Sequence, residues 1–361
     1  MYCILNASNV KLILGCDKMV YPNFICKGNI IGVCAPSSGI VQEEKVKKLN
    51  LAVKKVNDLG YQVLESNHVR TNRNGVSCGA KLRAKELEEL YNNEDVKVII
   101  CATGGEFLLE MLSFFDFSCV QENIKWLQGY SDPTGLLFTI TTGYDIATIY
   151  GNNFAGFGMN TWHESLQHNF DLLEGNLEIQ KSFSLYESGN TSPLEETEGY
   201  MLDTPVKWKN LGGEENITFS GRMIGGCIDI LRDLFGTRFD HTKEFINKYK
   251  NAFGKAQVVV IQSQLGVPIC AYSGEKVYWK FKDSGWFLYC KGIIFGRTSS
   301  YNSYLGLTLE EAINRVLGDY GIPIIIDSDF GHVPPRMTII NGSFVTITFK
   351  KGKGTMEFFL K

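Results

Sequence analysis

RAKELEELYNNEDVKVIICATGGE, residues 83–106, is the stretch whose reading decides the fold. A helical pattern around Leu82, Leu87 and Leu90 passes into the apolar run Val96 to Ala102, which is short enough for a buried strand. A helix feeding an apolar strand is what a crossover between parallel strands requires. The strand stops at Thr103-Gly104-Gly105-Glu106, where the backbone of a glycine pair can approach a ligand closely.

The same alternation extends outward in both directions. Upstream, Asn29 to Ala35 reads as a strand ending in Pro36-Ser37-Ser38-Gly39; Val46, Leu49, Val53 and Val56 then recur at helical spacing until Gly60, and Tyr61 to Leu64 forms the next strand. Downstream, Ile124 to Leu127 leads into Gly129-Tyr130-Ser131-Asp132, after which Pro133 opens a helix. The pattern is that of a doubly wound α/β sheet, which collects ligands beyond the C-terminal ends of its strands.

Beyond about residue 175 the pattern changes. The segment 176–220 is polar, with Glu195, Glu196 and Glu198 close together, and reads as a connection with surface loops. The expected organisation is an extension over 1–20, an N-terminal α/β domain over 21–175, this connection, and a second, smaller domain over 221–361. In the second domain we expect a helix near Met223 to Leu234, strands at Gln257 to Ile261, Gly292 to Phe295 and Pro323 to Asp327, a helix at Leu309 to Leu317, and a hairpin turn at Asn341-Gly342.

Composition narrows the function. The 36 basic and 39 acidic residues balance to a formal charge of −3, so no basic surplus points to nucleic acid or an anionic membrane. No run of 18 apolar residues occurs, and no membrane span is expected. Ten scattered cysteines without a C-x-x-C pair read as free thiols in a reducing cytoplasm. Ile13-Leu14-Gly15-Cys16 faintly imitates a lipoprotein cleavage site but lacks the apolar segment before it; a ragged extension with Met19 as the start is the simpler reading.

Two turns could carry chemistry. Ser131 stands where a strand enters and a helix leaves, the exposed corner a serine nucleophile needs, with peptide N–H groups nearby to hold an oxyanion. On the local motif alone, Ser131 or Asp132 reads more readily as a helix N-cap, and Gly104-Gly105 as a tight turn. Of the five histidines, His332 is distinguished by Asp329-Phe330-Gly331-His332 and the rigid Val333-Pro334-Pro335 after it. No His, Cys and carboxylate set has metal-ligand spacing, and neither a dinucleotide nor a Walker motif is present, so no metal and no cofactor are expected.

Taken in order, IGVCAPSSG at 31–39, the 83–106 stretch, GYSDPT at 129–134, GRMIGG at 221–226, KGIIFGR at 291–297 and DSDFGH at 327–332 resemble the LD-carboxypeptidase family of serine peptidases. That family includes muropeptide LD-carboxypeptidases and microcin C self-immunity peptidases. The resemblance implies a flavodoxin- or Rossmann-like N-terminal domain, a mostly β C-terminal domain, and a homodimer. It implies a Ser-His-Glu triad with Ser131 as nucleophile and His332 as base, and an oxyanion hole from the N–H groups of Gly105 and Asp132. Gly104 would lie against substrate, and Arg297 would either bind a substrate carboxylate or tie strand to helix. The substrate would be a small peptide or peptidyl-nucleotide: a muropeptide tetrapeptide or an aminoacyl-adenylate-type antibiotic.

The chain departs from the family at two places. Gln262 stands where the triad Glu is expected, at the end of Val258-Val259-Val260-Ile261; an ungapped alignment through Trp279 would put Leu265 there instead. Cys227 occupies a position where relatives usually carry Asn. An amide can hold an imidazole tautomer but cannot stabilise imidazolium by charge. The alternatives are another acid such as Glu275, a slow enzyme, or a binding relative.

Overall fold

Apolar runs alternating with amphipathic helices build a wound sheet. The computed structural model describes residues 18–189, 197–249, 257–262, 269–298, 301–302 and 306–361. Its first half runs β1 (Ile30–Cys34), α1 (Glu43–Asp58), β2 (Gln62–Glu65), α2 (Ala80–Asn92), β3 (Val96–Cys101), α3 (Ser118–Glu122), β4 (Trp126–Gly129), α4 (Thr134–Tyr144), β5 (Thr148–Tyr150) and α5 (Glu164–Leu173). The strands are apolar on both faces because helices cover both: Val96, Val98, Ile99, Ile100 and Cys101 of β3 are all fully buried. Lysines and acids of α1 face solvent while Leu49, Ala52 and Val56 enter the core. Lys125 donates its three protons to the carbonyls of Leu90, Tyr91 and Asn93, capping the C-terminal end of α2.

The second half contains β6 (Gln180–Lys181), β7 (Leu185–Tyr186), β8 (Thr204–Pro205), β9 (Lys209–Asn210), β10 (Asn216–Cys227), α6 (Ile228–Leu234), α7 (Thr242–Tyr249), β11 (Gln257–Gln262), β12 (Ile269–Cys270), α8 (Ala271–Asp283), β13 (Cys290–Gly296), β14 (Tyr301–Asn302), α9 (Leu309–Leu317), β15 (Ile324–Ser328), β16 (Ile339–Asn341), β17 (Phe344–Lys350) and β18 (Lys353–Phe359). Among the described residues, the first sheet has the order β16-β5-β4-β3-β1-β2 and the second β6-β18-β17-β10-β11-β13-β15-β9. Strands β1 to β5 are mutually parallel. Their order reverses between β1 and β3, the topological switch point at which such sheets bind ligands.

Three expectations are corrected. Met223 to Cys227 is strand, not helix, and the helix starts only at Ile228. Gly225 and Gly226 weaken a helix, and β10 finds partners on both sides, parallel β11 and antiparallel β17. Asn341-Gly342 is not a hairpin turn: β16 before it joins β5 in the first sheet, and β17 after it joins β10 in the second. The hairpin lies instead at Lys351-Gly352, both at positive φ as a type I′ turn demands. Finally, the polar connection is not only loops, because β6 and β9 are the two edges of the second sheet. The boundary expected at 220/221 falls inside β10.

Asn341 holds the sheets together. Its side chain accepts from the Gly225 N–H at 3.0 Å and donates to the Gly225 carbonyl at 3.2 Å, completing the pairing that β16 cannot offer β10 through its backbone. Asn341 is fully buried. Asn341→Leu therefore leaves a buried donor and acceptor unpaired and should cost about 2–4 kcal/mol. Urea denaturation should show this as a lower midpoint at unchanged slope.

Candidate active site

The site is built where three strand ends of the first sheet meet. Ser131 follows β4 and is held at φ +69°, a left-handed conformation that non-glycine residues adopt only when their surroundings enforce it. What enforces it is visible: the Ser131 N–H donates to the Tyr150 hydroxyl at 3.2 Å, and its carbonyl accepts from Thr134 N at 2.9 Å as α4 begins. The preceding residue is clamped by Asn153, which accepts from Tyr130 N at 3.1 Å and donates to Tyr130 O at 3.3 Å.

Of the two glycines after β3, Gly105 is required by this packing and Gly104 fits it closely. A Cβ on Gly104 would sit 3.1 Å from Ser131 Cβ and 3.3 Å from its Oγ. Gly105 has φ +156°, and a Cβ there would overlap the Ser37 hydroxyl and come within 2.6 Å of Ser38 Oγ. Among the described residues, the N–H groups of Gly105 and Asp132 have no acceptor. These are the two donors expected for an oxyanion.

Asp132 is more than a backbone donor. Its buried carboxylate accepts from the Ser37 hydroxyl and, at 2.9 Å, from Leu108 N, so one oxygen joins the loops after β1, β3 and β4. Its other oxygen, Oδ1, is buried with no hydrogen-bond partner. Burial raises its pKa, against the opposing pull of Ser37 and Leu108. Arg83 of α2 reinforces the same loops: it donates to Pro36 O at 2.9 Å and Phe107 O at 2.8 Å while pairing with Glu110 at 2.9 Å.

His332 comes from the second sheet, on the loop after β15. Its half-buried ring lies 5.3 Å, centroid to centroid, from that of Tyr130, the residue just before Ser131. The loop is anchored by Asp329, whose carboxylate accepts from Arg297 Nη2 at 2.7 Å, Trp208 Nε1 at 2.9 Å and Phe183 N at 3.2 Å. Burial raises the pKa of Asp329, and Arg297 opposes the rise. Arg297 is itself only 4% exposed and stacks over the Tyr186 ring at 4.0 Å. Arg297 thereby ties the end of β13 to the His332 loop.

The fold thus brings Ser131, Asp132, Gly104 and Gly105 to one sheet edge and sets His332 against Tyr130. Gln262 is the last residue of β11, and its backbone is in register with Cys227 of β10. The two positions at which departures were expected are therefore cross-strand neighbours. The Cys227 thiol is buried, its N–H donates to Thr134 Oγ1 at 3.0 Å, and burial, then Asp229, pushes its pKa up to about 12. Leu265 lies outside the described residues; Glu275 falls in α8.

Sequence reading missed Arg336. Four residues after His332, its guanidinium stacks over Tyr130 at 4.4 Å, donates to Asn152 Oδ1 at 3.0 Å and reaches the His332 carbonyl at 3.4 Å. A basic residue directly after Pro334-Pro335 was the available signal. Tyr150 was also missed, since a hydroxyl reaching across strands leaves no local pattern. For metal ligation, one group among the described residues brings three ligand atoms within 4.8 Å of one another: His68, Cys78 and Glu86.

Comparison with known proteins agrees with this architecture. The profile of the LD-carboxypeptidase N-terminal domain matches residues 31–151, and that of the LD-carboxypeptidase C-terminal domain matches 220–347. A probable murein peptide carboxypeptidase of Bacillus subtilis is 27% identical over 221 residues, 61% of this chain and 60% of that protein. The microcin C7 self-immunity protein MccF of Escherichia coli is 24% identical over 283 residues, 74% and 76% of the two chains. A solved MccF complex with aspartyl sulfamoyl adenosine matches with TM-score 0.77 at 19% identity, covering 94% of this chain and 99% of that one. An MccF-like protein from Bacillus anthracis matches with TM-score 0.77 at 24% identity, over 94% and 99%.

The raised pKa of Asp132 has a definite sign. Between its ordinary value and the raised one, the folded chain holds a proton that the unfolded chain has released, so stability falls as pH rises. Measured against Asp132→Asn, which cannot titrate, the native chain should lose stability from about pH 4 upward, by at most about 1.4 kcal/mol per pH unit. Urea denaturation of both proteins across pH 4–7 checks this; parallel curves would contradict it.

Proposed function

Since the chain belongs to the LD-carboxypeptidase family, whose members are peptidases, we propose that it is a serine carboxypeptidase removing the C-terminal group of small peptide-like substrates. One observation carries the reading: a serine held at φ +69° against Gly104, with two unclaimed backbone N–H groups in the residues beside it.

In this reading Ser131 Oγ attacks the carbonyl of the penultimate residue while His332 takes its proton. The tetrahedral oxyanion rests on the N–H groups of Gly105 and Asp132. His332 then protonates the leaving amine, and a water activated by the same imidazole hydrolyses the acyl-enzyme. No metal or cofactor is needed for these steps. Arg297 and Asp329 act as positioning residues by fixing the His332 loop.

Two substrate classes are supported by what the relatives are named for or hold. One is a murein tetrapeptide losing its terminal residue, and the other an aminoacyl or peptidyl adenylate analogue losing its acyl part. A cytoplasmic homodimer belongs to the same proposal, by family resemblance. The second reading, a binding relative with impaired catalysis, rests on Gln262 at the acid position.

Incubation with a muropeptide tetrapeptide and with an aminoacyl sulfamoyl adenosine, followed by mass spectrometry, tests the proposal. Turnover of one of them should fall by about three to six orders of magnitude in Ser131→Ala and in His332→Ala. If the native chain and Ser131→Ala are equally inert on both but bind one of them, the binding reading replaces the peptidase. Gln262→Glu supplies the second check: a carboxylate that stabilises imidazolium should raise kcat by about one to four orders with little change in KM. No change would place the orienting group elsewhere.

A further inference from the structure

Away from the Ser131 turn, the fold assembles a second set of chemically capable side chains. His68 follows β2, Cys78 immediately precedes the Gly79 cap of α2, and Glu86 lies within α2 on its buried face. None is near another in sequence terms that a ligand motif would reveal. In space one atom from each, a ring nitrogen, the thiol sulfur and a carboxylate oxygen, lie within 4.8 Å of one another.

The three are held there by bonds that need no ion. Glu86, whose side chain is 5% exposed, accepts from the His68 ring Nδ1 with one oxygen and from the His68 backbone N–H at 3.3 Å with the other. The Cys78 side is fixed by its neighbour: Ser77 N donates to Ser37 O at 2.9 Å, and Ser77 Oγ to Ala35 O at 2.6 Å. Thr71 Oγ1 donates to Ser77 O at 2.8 Å and ties the loop across itself. The His68 ring is 32% exposed, which leaves a solvent side open.

We propose that His68, Cys78 and Glu86 form a binding site for a zinc-class divalent metal ion, with water as the fourth ligand. Nitrogen, thiolate and carboxylate are the donor types that tetrahedral Zn2+ accepts, and its bond lengths place ligand atoms about 3.3–3.6 Å apart. His68 and Glu86 are in hydrogen-bond contact and would part slightly to seat the ion, while the Cys78 sulfur, within 4.8 Å of both, needs to approach by at most about 1.5 Å. Binding replaces the Glu86–His68 hydrogen bond by two metal–ligand bonds, moves the His68 ring proton from Nδ1 to Nε2 by way of solvent, and releases the thiol proton to solvent. The ion would clip the loop between β2 and α2 onto α2. Through Ser77 and Ser37 that loop contacts the Asp132 carboxylate, so the clip stiffens the rear wall of the active site. It takes no part in the proposed acyl transfer.

The full chain, stripped with a chelator, is titrated with Zn2+ against a chromophoric competitor and separately with Co2+, which reports thiolate ligation by a charge-transfer band in the near ultraviolet. One ion per chain should bind with that band present. In Cys78→Ser the band should vanish and affinity should fall by about tenfold or more. Cys26, also a free thiol and exposed, serves as the control: Cys26→Ser should change neither readout. A third measurement needs no variant: saturating Zn2+ should slow alkylation of Cys78 but not of Cys26, read by peptide mass spectrometry. Absence of the thiolate band, its persistence in Cys78→Ser, or unprotected Cys78 alkylation would each overturn the proposal.

Discussion

One buried carboxylate oxygen organises the site. Asp132 Oδ2 accepts from the Ser37 hydroxyl after β1 and from the Leu108 N–H beyond β3, while Asp132 itself belongs to the turn after β4. Three strand ends at the switch point of the sheet are thereby fixed relative to one another. Burial makes the charged form costly, which raises the pKa of the group, yet its two donors keep it in place. The strained turn at Ser131 and the close approach of Gly104 to it both lie at this junction.

A second junction brings the other sheet into register with the first. Asn341 pairs with both backbone groups of Gly225, and β16 leaves the second half of the chain to extend the first sheet. The loop bearing His332 departs from the same second sheet and is pinned at Asp329 by Arg297, Trp208 and the Phe183 N–H. A buried ion pair such as Arg297–Asp329 adds little net stability, because desolvation consumes most of the attraction, but it tolerates only one geometry. That is the property a loop carrying a proposed general base requires.

The register of β10 and β11 connects the two positions at which departures from the family pattern were expected. Cys227 and Gln262 stand opposite each other at the C-terminal ends of adjacent parallel strands. In sequence they are separated by a long stretch; in the sheet their backbones stand in register.

Much of the first sheet was legible because parallel strands buried on both faces must be apolar runs, and their crossover helices must be amphipathic. Local periodicity carries both signals, as in Val96 to Cys101 and in α9, whose bounds Leu309–Leu317 match the expected ones. The Ser131 turn and the glycine pair at 104–105 were legible for the same reason, since strand ends of one parallel sheet share an edge. What sequence could not decide was pairing across distance. Met223 to Cys227 became strand only because β11 and β17 were there to bond it, Asn341-Gly342 changed sheets instead of turning back, and Arg336 reached Tyr130 from four residues past His332. The His68, Cys78 and Glu86 grouping likewise exists only once α2 is laid along β1 and the loop before it is folded back. Periodicity records which face of an element is buried; which partner buries it, and which distant side chains that brings together, is settled only by the tertiary fold.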